Sequence, residues 1–216
     1  GSNIGIVGIT GSGKSTLIDL ILGLHKPKNG NLEIDGKIIN NHNCRSWQQS
    51  IGYVPQQIFL FDDTIASNIA FGLDSNHIDQ NAIEKAAKTA NIHDFIINDL
   101  PLKYQTIIGE RGIKLSGGQR QRLGIARALY HDPKVLVMDE ATNALDVHTE
   151  QLVIEEIKKL RKDRTMILIT HRLNSVKDCD NIIIIEKGEI KQEGNFEELN
   201  NLSDYFKFDN EKIKRQ

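Results

Sequence analysis

The sequence predicts an α/β fold with a mostly parallel core sheet flanked by helices, together with an antiparallel β subdomain and a helical subdomain. A glycine-rich loop at residues 8–16 follows an apolar run and precedes apolar residues at helical spacing, the pattern of a strand, a loop and a helix. From residue 135 onward, continuous apolar runs alternate with helical patterns, which is typical of parallel strands covered on both faces. Residues 30–54 instead carry short runs joined by a tight turn, which indicates antiparallel strands.

The predicted strands are short apolar runs bounded by turn residues. They are residues 4–7, 31–34, 37–39, 51–54, 135–138, 165–170, 181–185 and 189–192. The pair Asp35-Gly36 is the turn of a hairpin between the second and third strands, and Pro55 ends the fourth. Lys187-Gly188 turns the chain into the last strand, which we expect to form an edge hairpin.

The predicted helices are residues 14–22, 119–130, 150–160 and 173–177. A mainly helical insertion is expected at residues 64–98, with Thr64 and Asp79 as N-caps. One face of this insertion is apolar at helical spacing, namely Ala82, Ile83, Ala86, Ala87 and Ala90. The insertion lacks the length and the heptad pattern of a coiled-coil arm.

Composition narrows the classes of function. The chain has 216 residues, enough for one large α/β domain with a small subdomain. Its 27 Lys and Arg against 29 Asp and Glu give a net charge of −2, so no nucleic-acid partner is expected. No apolar run approaches the about 18 residues of a membrane span, so a membrane protein would need another segment. Cys44 and Cys179 stand far apart in no metal-ligand spacing, which fits a reducing compartment.

Residues 8–16, GITGSGKST, match the spacing G-x-x-x-x-G-K-[ST] of a phosphate-binding loop. Glycines let backbone N–H groups face inward, and the start of the next helix adds its positive end, so a polyphosphate finds donors. Lys14 is expected to reach the β and γ phosphates, and the Ser15 hydroxyl to bind Mg²⁺. The alternative is an ordinary glycine-rich turn, but the four fixed positions match by chance in only about 1% of chains of this length.

Residues 135–140, VLVMDE, end an apolar strand with two carboxylates. Asp139 stands where Mg²⁺ near a phosphate loop needs an outer ligand, and Glu140 is the better placed general base for the attacking water. If the chain had only this carboxylate pair, the favoured explanation would be that the two side chains solvate the end of the strand. Because the same chain has a phosphate-binding loop, a metal-binding and catalytic role is favoured instead.

Residues 115–119, LSGGQ, predict a second anion site, because Ser116, Gly117 and Gly118 present bare N–H groups at the start of a helix. Five defined positions occur by chance in on the order of one chain in ten thousand. Since the chain has only one lysine-bearing loop, the target of this second site is a separate question.

These motifs together resemble the nucleotide-binding domain of ABC transporters, and the likeness runs from Gly1 to about Glu198. VPQ at residues 54–56 resembles the Q-loop, with Gln56 preferred over Gln57 because it directly follows the proline. NALD, ending at Asp146, resembles the D-loop, and ITHR, with His171, resembles the switch-histidine loop.

The resemblance implies a P-loop NTPase fold and a single ABC ATPase domain over residues 1–216. A RecA-like core would comprise residues 1–60 and 131–198, with its antiparallel part at about 30–54. The helical signature subdomain would be residues 61–130 or so, and residues 199–216 would be a C-terminal tail.

The resemblance also implies ATP and Mg²⁺ as ligands. The implied ATP-binding residues are Gly8, Gly11, Ser12, Gly13, Lys14, Ser15, Thr16 and Gln56. The implied metal ligands are Ser15, Gln56 and Asp139, and the implied catalytic residues are Lys14, Glu140 and His171, the last contacting the γ phosphate.

In that family two domains pack head to tail, so Ser116, Gly117, Gly118 and Gln119 would contact ATP bound to a second domain, identical or different. Residues 106–112, TIIGERG, resemble the x-loop of exporters, and residues 51–72 resemble bacterial transporters that flip lipid-linked sugars. A transmembrane domain fused upstream is therefore implied, with this chain at the cytoplasmic face of the membrane. A chain that enters its first strand within three residues also suggests a piece of something longer. The sequence leaves the transported substrate open.

Several positions depart from the family pattern. The aromatic residue that stacks on adenine lies upstream of the phosphate loop in the family, so weaker ATP affinity is expected here. Thr10 and Asn143 replace a commoner Pro or Ser, and Met138 a commoner Leu; we expect these to be tolerated. One alternative is a soluble ABC-type ATPase acting on nucleic acid or ribosomes, which the charge and the missing coiled coil disfavour. Another is a regulatory module that binds ATP without turnover, which Glu140 disfavours.

Overall fold

A computed structural model of the chain describes residues 1–159 and 164–202. The backbone forms two compact units: the first unit comprises Gly1–Ile51 and Thr165–Gln216, and the second unit comprises Gly52–Arg164. Residues 203–216, most of the predicted C-terminal tail, lie outside the described residues. The boundaries predicted for the core and the helical subdomain stay predictions.

Within the described residues the strands are β1 (Asn3–Val7), β2 (Glu33–Ile34), β3 (Lys37–Ile38), β4 (Ile51–Val54), β5 (Val135–Asp139), β6 (Thr165–Thr170), β7 (Asn181–Glu186) and β8 (Glu189–Gly194). The α-helices are α1 (Lys14–Ile21), α2 (Cys44–Gln49), α3 (Ile65–Ile69), α4 (Gln80–Thr89), α5 (His93–Asp99), α6 (Gly117–Leu129), α7 (Val147–Lys159) and α8 (Phe196–Leu202). A membrane crossing needs a long apolar helix, and the described part of the chain contains none.

The first unit is built on a mostly parallel sheet with β1 at its centre. β1 pairs in parallel with β6 on one side and with β7 on the other, and β8 adds an antiparallel edge to β7. Val7 is opposite Thr170 of β6 and Ile184 of β7, so these strands end at the same edge. Apolar side chains on both faces, such as those of Val7 and Ile169, are fully buried, as the continuous apolar runs predict.

The predicted β2–β3 hairpin is confirmed as a short antiparallel pair, with Glu33 opposite Ile38. Its turn residues Asp35 and Gly36 have φ of 48° and 75°. Two successive residues in the left-handed region are what a two-residue hairpin turn requires, and an Asp-Gly pair adopts that conformation readily.

Helix α2 is absent from the sequence-based prediction. Its segment CRSWQQ carries one large apolar side chain, Trp47, so it has no amphipathic period that would reveal a helix. Trp47 is buried, and its indole N–H donates to the carbonyl oxygen of Ile21 at 2.7 Å. This bond gives a partner to one of the carbonyl groups that the last turn of α1 leaves without an intrahelical donor. Tertiary packing against α1 therefore explains why this polar segment is helical.

The second unit is mainly helical, and α6 packs against α3 and α4. Both predicted N-caps are confirmed: Thr64 Oγ1 accepts from the Ser67 N–H at 3.0 Å, and Asp79 Oδ1 accepts from the Asn81 N–H at 2.8 Å. The predicted starts of two later helices are wrong. α6 begins at residue 117 and α7 at residue 147, because Ser116 and Asp146 cap them.

Strands β4 and β5 are hydrogen-bonded neighbours in the second unit, and Leu136, Val137 and Met138 of β5 are buried. Gly52 allows the C-terminal end of α6 to lie close against β4. A Cβ atom added at Gly52 would lie 2.4 Å from the Ala128 carbonyl oxygen and 2.8 Å from Pro133 Cγ. Glycine is therefore required here by space alone.

We expect Gly52→Ala to lower the free energy of unfolding by about 3 kcal/mol, the upper end of the range for overpacked cores, because a carbonyl oxygen blocks the added methyl group. Urea denaturation followed by circular dichroism measures this loss. The matched control is Gly117→Ala, where the nearest atom to an added Cβ is 3.8 Å away, and a change within about 0.5 kcal/mol is expected. Equal losses in the two variants would refute the steric explanation.

Candidate functional site

The loop at residues 8–16 lies in the first unit, between the end of β1 and the start of α1. It curls back on itself through the Ser12 N–H, which donates to the Ile9 carbonyl oxygen at 3.1 Å. The Gly188 N–H donates to the Ser12 carbonyl oxygen at 2.8 Å, which ties the loop to the β7–β8 turn. Gly13 has φ of 107°, a conformation that L-residues with a side chain rarely adopt. The glycine at this motif position therefore sets the curl of the loop.

Gly8 also has a steric reason to be glycine. A Cβ atom there would lie 2.5 Å from the Ile185 carbonyl oxygen of β7 and 2.6 Å from Ser12 Oγ. The loop therefore turns directly against the neighbouring strand.

Two polar groups of the loop bear on its chemistry. The Lys14 ammonium donates to the carbonyl oxygens of Gly8 and Ile9, at 2.7 and 2.9 Å, and so lies across the loop. Ser12 is 2% exposed, and its hydroxyl has no hydrogen-bond partner within the described residues. A buried hydroxyl without a partner costs about 1–3 kcal/mol, so such a group fits a donor kept for an anionic ligand. Ser15 and Thr16 are exposed in the first turn of α1.

His171 follows Thr170, the last residue of β6, and is exposed. Val7 and Thr170 are opposite each other at the ends of two adjacent parallel strands. Gly8 and His171, the next residue of each strand, therefore lie at the same edge of the sheet. The Arg172 N–H donates to Thr170 Oγ1 at 2.9 Å, which turns the chain away from the sheet at this point. The structure thus brings the predicted switch histidine to the loop edge of the first unit, and its contact with a phosphate stays a prediction.

The second unit holds a cluster around Glu140, directly after β5. Two amide groups donate to the same carboxylate oxygen, Glu140 Oε2: Gln56 Nε2 at 2.9 Å and Asn143 Nδ2 at 2.7 Å. Glu140 has φ of 48°, an unusual conformation for a residue with a side chain. Such a conformation persists where neighbouring contacts fix it, and it is found preferentially at functional sites. Gln56 and Glu140, predicted separately from the sequence, therefore lie in direct contact.

The predicted metal ligands are divided between the units, with Ser15 in the first and Gln56 and Asp139 in the second. Asp139 is the half-buried last residue of β5. Among the described residues no three His, Cys, Asp or Glu side chains converge where they could hold a metal ion. Mg²⁺ is commonly held by one or two protein carboxylates together with waters and phosphate oxygens. The ligand set stays a prediction.

The LSGGQ segment forms the start of α6. Ser116 and Gln119 make a reciprocal capping box: Ser116 Oγ accepts from the Gln119 N–H at 3.2 Å, and Gln119 Oε1 accepts from the Ser116 N–H at 2.8 Å. Gln119 therefore has a local structural task besides the predicted contact with ATP of a second domain. Ser116 and Gly117 are exposed and Gly118 is half-buried.

Asp146 caps α7, since its Oδ1 accepts from the Thr149 N–H at 3.0 Å. The hydrogen bonds from Thr149 hold the pKa of Asp146 below its usual range, so the side chain is a carboxylate at neutral pH. Burial lowers the pKa of Arg122 on α6, and the charge of Asp146 opposes that shift. The predicted D-loop aspartate thus fixes the start of a helix.

Known proteins are similar to this chain in sequence and in fold. The family model described as ABC transporter matches residues 1–143. Over 199 residues the chain is 45% identical to the ATP-dependent lipid A-core flippase of Saccharophagus degradans, a match that covers 92% of this chain and 33% of that protein. Over 207 residues it is 42% identical to a putative multidrug export ATP-binding/permease protein of Bacillus subtilis, covering 96% of this chain and 35% of that one.

A solved structure of a bacterial Atm1-family ABC exporter with ATP bound matches 98% of this chain and 36% of its own, with a TM-score of 0.90 and 40% identity. This match confirms the predicted α/β fold class. The chain thus spans about a third of the length of these three proteins, at 33%, 35% and 36%.

We expect Ser116→Ala to lower the free energy of unfolding by about 1 kcal/mol, because it removes the N-cap acceptor of α6. Ser116→Gly should cost only a few tenths of a kcal/mol, since glycine is tolerated at N-caps. Urea denaturation measures both, and Ser75→Ala, at an exposed serine that makes no side-chain cap, is the control. A loss for Ser75→Ala as large as that for Ser116→Ala would contradict the capping role.

Proposed function

This chain belongs to the ABC transporter family, and from that premise we propose that it is the ATP-binding and ATP-hydrolysing motor domain of a membrane exporter. The observation that carries the proposal is the curled loop at residues 8–16. The ammonium of Lys14 lies across this loop, and the buried hydroxyl of Ser12 has no partner among the described residues. The similarity to exporters, a flippase among them, supports the transport part of the proposal. It does not favour a soluble ATPase that acts on nucleic acid or ribosomes.

In the proposed function the loop binds the triphosphate of ATP. The Lys14 ammonium exchanges the carbonyl oxygens of Gly8 and Ile9 for phosphate oxygens, and the Ser12 hydroxyl gains an acceptor. Backbone N–H groups at the start of α1 face the same anion, aided by the positive end of the helix. Because the loop already has this curl, little reorganisation is needed on binding.

Ser15, Asp139 and Gln56 would hold Mg²⁺. When bound, this ion neutralises negative charge on the phosphate oxygens during transfer. In the structure Gln56 donates to Glu140, so its side chain would have to turn away from Glu140 to offer its oxygen to a cation.

Hydrolysis follows by in-line attack of water on the γ phosphorus. The water oxygen forms the new bond to phosphorus, the bond from phosphorus to the β–γ bridging oxygen breaks, and its electron pair leaves with ADP. Glu140 takes the proton of the water as general base, while Lys14 and His171 stabilise charge on the γ phosphate. Each of these residues has a different task, so their loss should affect binding and turnover differently.

A second nucleotide-binding domain completes the proposed site. Ser116, Gly117, Gly118 and Gln119 of each domain face ATP bound to the other, so bound ATP favours the closed pair and hydrolysis releases it. A transmembrane domain on the same polypeptide would convert this cycle into transport, with this chain at the cytoplasmic face of the membrane. The binding energy of two ATP molecules is thus the source of the conformational change.

We expect Ser12→Ala to raise the free energy of unfolding of the nucleotide-free chain by about 1 kcal/mol, because it removes a buried hydroxyl that has no partner among the described residues. The same variant should bind ATP about tenfold more weakly, a loss of about 1.4 kcal/mol, as measured with a fluorescent ATP analogue. Ser50→Ala is the control, since the Ser50 hydroxyl donates to the Trp47 carbonyl oxygen and its loss should destabilise the fold. Unchanged ATP affinity in Ser12→Ala would argue against a phosphate contact.

We expect Glu140→Gln to lower the rate of ATP hydrolysis at least 100-fold, the order of magnitude of general-base catalysis, while ATP affinity stays within about threefold. Phosphate release and equilibrium binding of labelled ATP measure the two effects. Glu155→Gln, the same change at an exposed residue of α7, should match the wild type. A wild-type rate in Glu140→Gln would disprove the role of Glu140, and a wild-type chain that binds no ATP would disprove the proposed function.

A further inference from the structure

Asn143 lies beside Glu140, the proposed general base, and the sequence gives only a weak signal of this contact. We propose that Asn143 is the positioning residue for Glu140: by holding Oε2 it fixes the orientation of the carboxylate that takes the proton of the attacking water. This inference rests on the proposed function, because it concerns how Glu140 acts in hydrolysis.

Asn143 is joined to Glu140 twice, through the backbone and through the side chain. The Asn143 N–H donates to the Glu140 carbonyl oxygen at 3.2 Å, which closes a four-residue turn. The Asn143 side-chain amide donates to Glu140 Oε2 at 2.7 Å. Glu140 and Asn143 are the first and last residues of the same turn, so the side-chain contact can form whenever the turn is intact.

The turn itself is anchored on α7. Thr142, which is 4% exposed, donates its hydroxyl to Glu150 Oε1 at 2.6 Å. The Glu150 N–H donates to the carbonyl oxygen of Asp146, the capping residue of the same helix. Asn143 therefore lies in a segment that Glu150 holds at both ends, at Thr142 and at Asp146.

Gln56 donates to the same oxygen but cannot serve as the permanent support. It is exposed, it lies 84 residues from Glu140 in the chain, and in the proposed cycle it turns to the metal ion. Asn143 needs no such movement, so it remains to hold Glu140 when ATP is bound.

The chemistry of the carboxylate explains why one held oxygen matters. Each carboxylate oxygen has two lone-pair sites, and on Oε2 two N–H donors take them up. The Asn143 donor is a neutral amide, so this contact places no additional charge beside the carboxylate. With Oε2 held by Asn143, rotation of the carboxylate is restricted, and the orientation of the base toward the attacking water is set. Misplacement of a catalytic group by about 1 Å can lower a rate up to about 100-fold.

Asn143→Leu keeps the approximate shape of the side chain and removes the donor. We expect kcat for ATP hydrolysis to fall about tenfold, while KM and the equilibrium affinity for ATP stay within about twofold. Asn143→Asp should lower kcat further, about 100-fold, because a second carboxylate would repel Glu140 from its position. Asn81→Leu, the same change at an exposed residue of α4, is the control and should leave kcat unchanged.

A mutant cycle separates positioning from a merely structural role. In a Glu140→Ala background the carboxylate that Asn143 would position is missing. Adding Asn143→Leu to that background should therefore change the rate of single-turnover hydrolysis of radiolabelled ATP less than about twofold. Far-UV circular dichroism and thermal melting confirm that each variant is folded. An equal loss of rate in the two backgrounds, or an unchanged kcat in both Asn143→Leu and Asn143→Asp, would overturn the inference.

These results are distinguishable from failure of the proposed function. If the wild type does not hydrolyse ATP, or Glu140→Gln hydrolyses it normally, the proposed function fails and the role of Asn143 fails with it. If Glu140→Gln is inactive while Asn143→Leu and Asn143→Asp are both fully active, only the role of Asn143 is wrong.

Discussion

The close approach of the loop after β1 to the neighbouring strand β7 is the constraint on which the first unit depends. At Gly8 the Ile185 carbonyl oxygen and the Ser12 hydroxyl occupy the space that any side chain would need. The parallel pairing of β1 with β6 and β7 fixes where this loop begins, and the Gly188 N–H holds its far side. A loop held on both sides has a fixed curl, which suits the anion site proposed for its backbone.

Much of the fold follows from local pattern. The bounds predicted for the strands at residues 51–54 and 165–170 agree with the structure, because β-branched runs between turn residues have few other conformations open to them. Helix α2 is beyond this reasoning, since only Trp47 among its large residues is apolar and its burial depends on the end of α1. Apolar spacing places the starts of α6 and α7 too late, whereas Ser116 and Asp146 begin these helices through their caps.

The candidate site also has some features that local sequence pattern predicts and others that depend on tertiary packing. Motif spacing predicts Lys14 and Glu140, because each stands at the start of a helix or the end of a strand in a recognisable pattern, whereas His171 is implied by the resemblance of ITHR to the switch-histidine loop. The contact between Gln56 and Glu140 could not be predicted, since a side-chain hydrogen bond across 84 residues depends on the packing of two strands. For Asn143 a weak signal does exist: an amide three residues after a carboxylate, directly beyond a strand, is within reach if the chain forms a tight turn. The sequence-based expectation that this position tolerates substitution does not take that turn into account.

The buried hydroxyl of Ser12 bears on how long the molecule survives when ATP is scarce. A buried polar group with no partner among the described residues raises the free energy of the folded state, and unfolding exposes that group to water. Proteases cleave unfolded chains, so in the proposed function a nucleotide that supplies the missing partner would lower the fraction of the chain that is open to degradation. The concentration of nucleotide would then influence the lifetime of the domain as well as its rate of ATP hydrolysis.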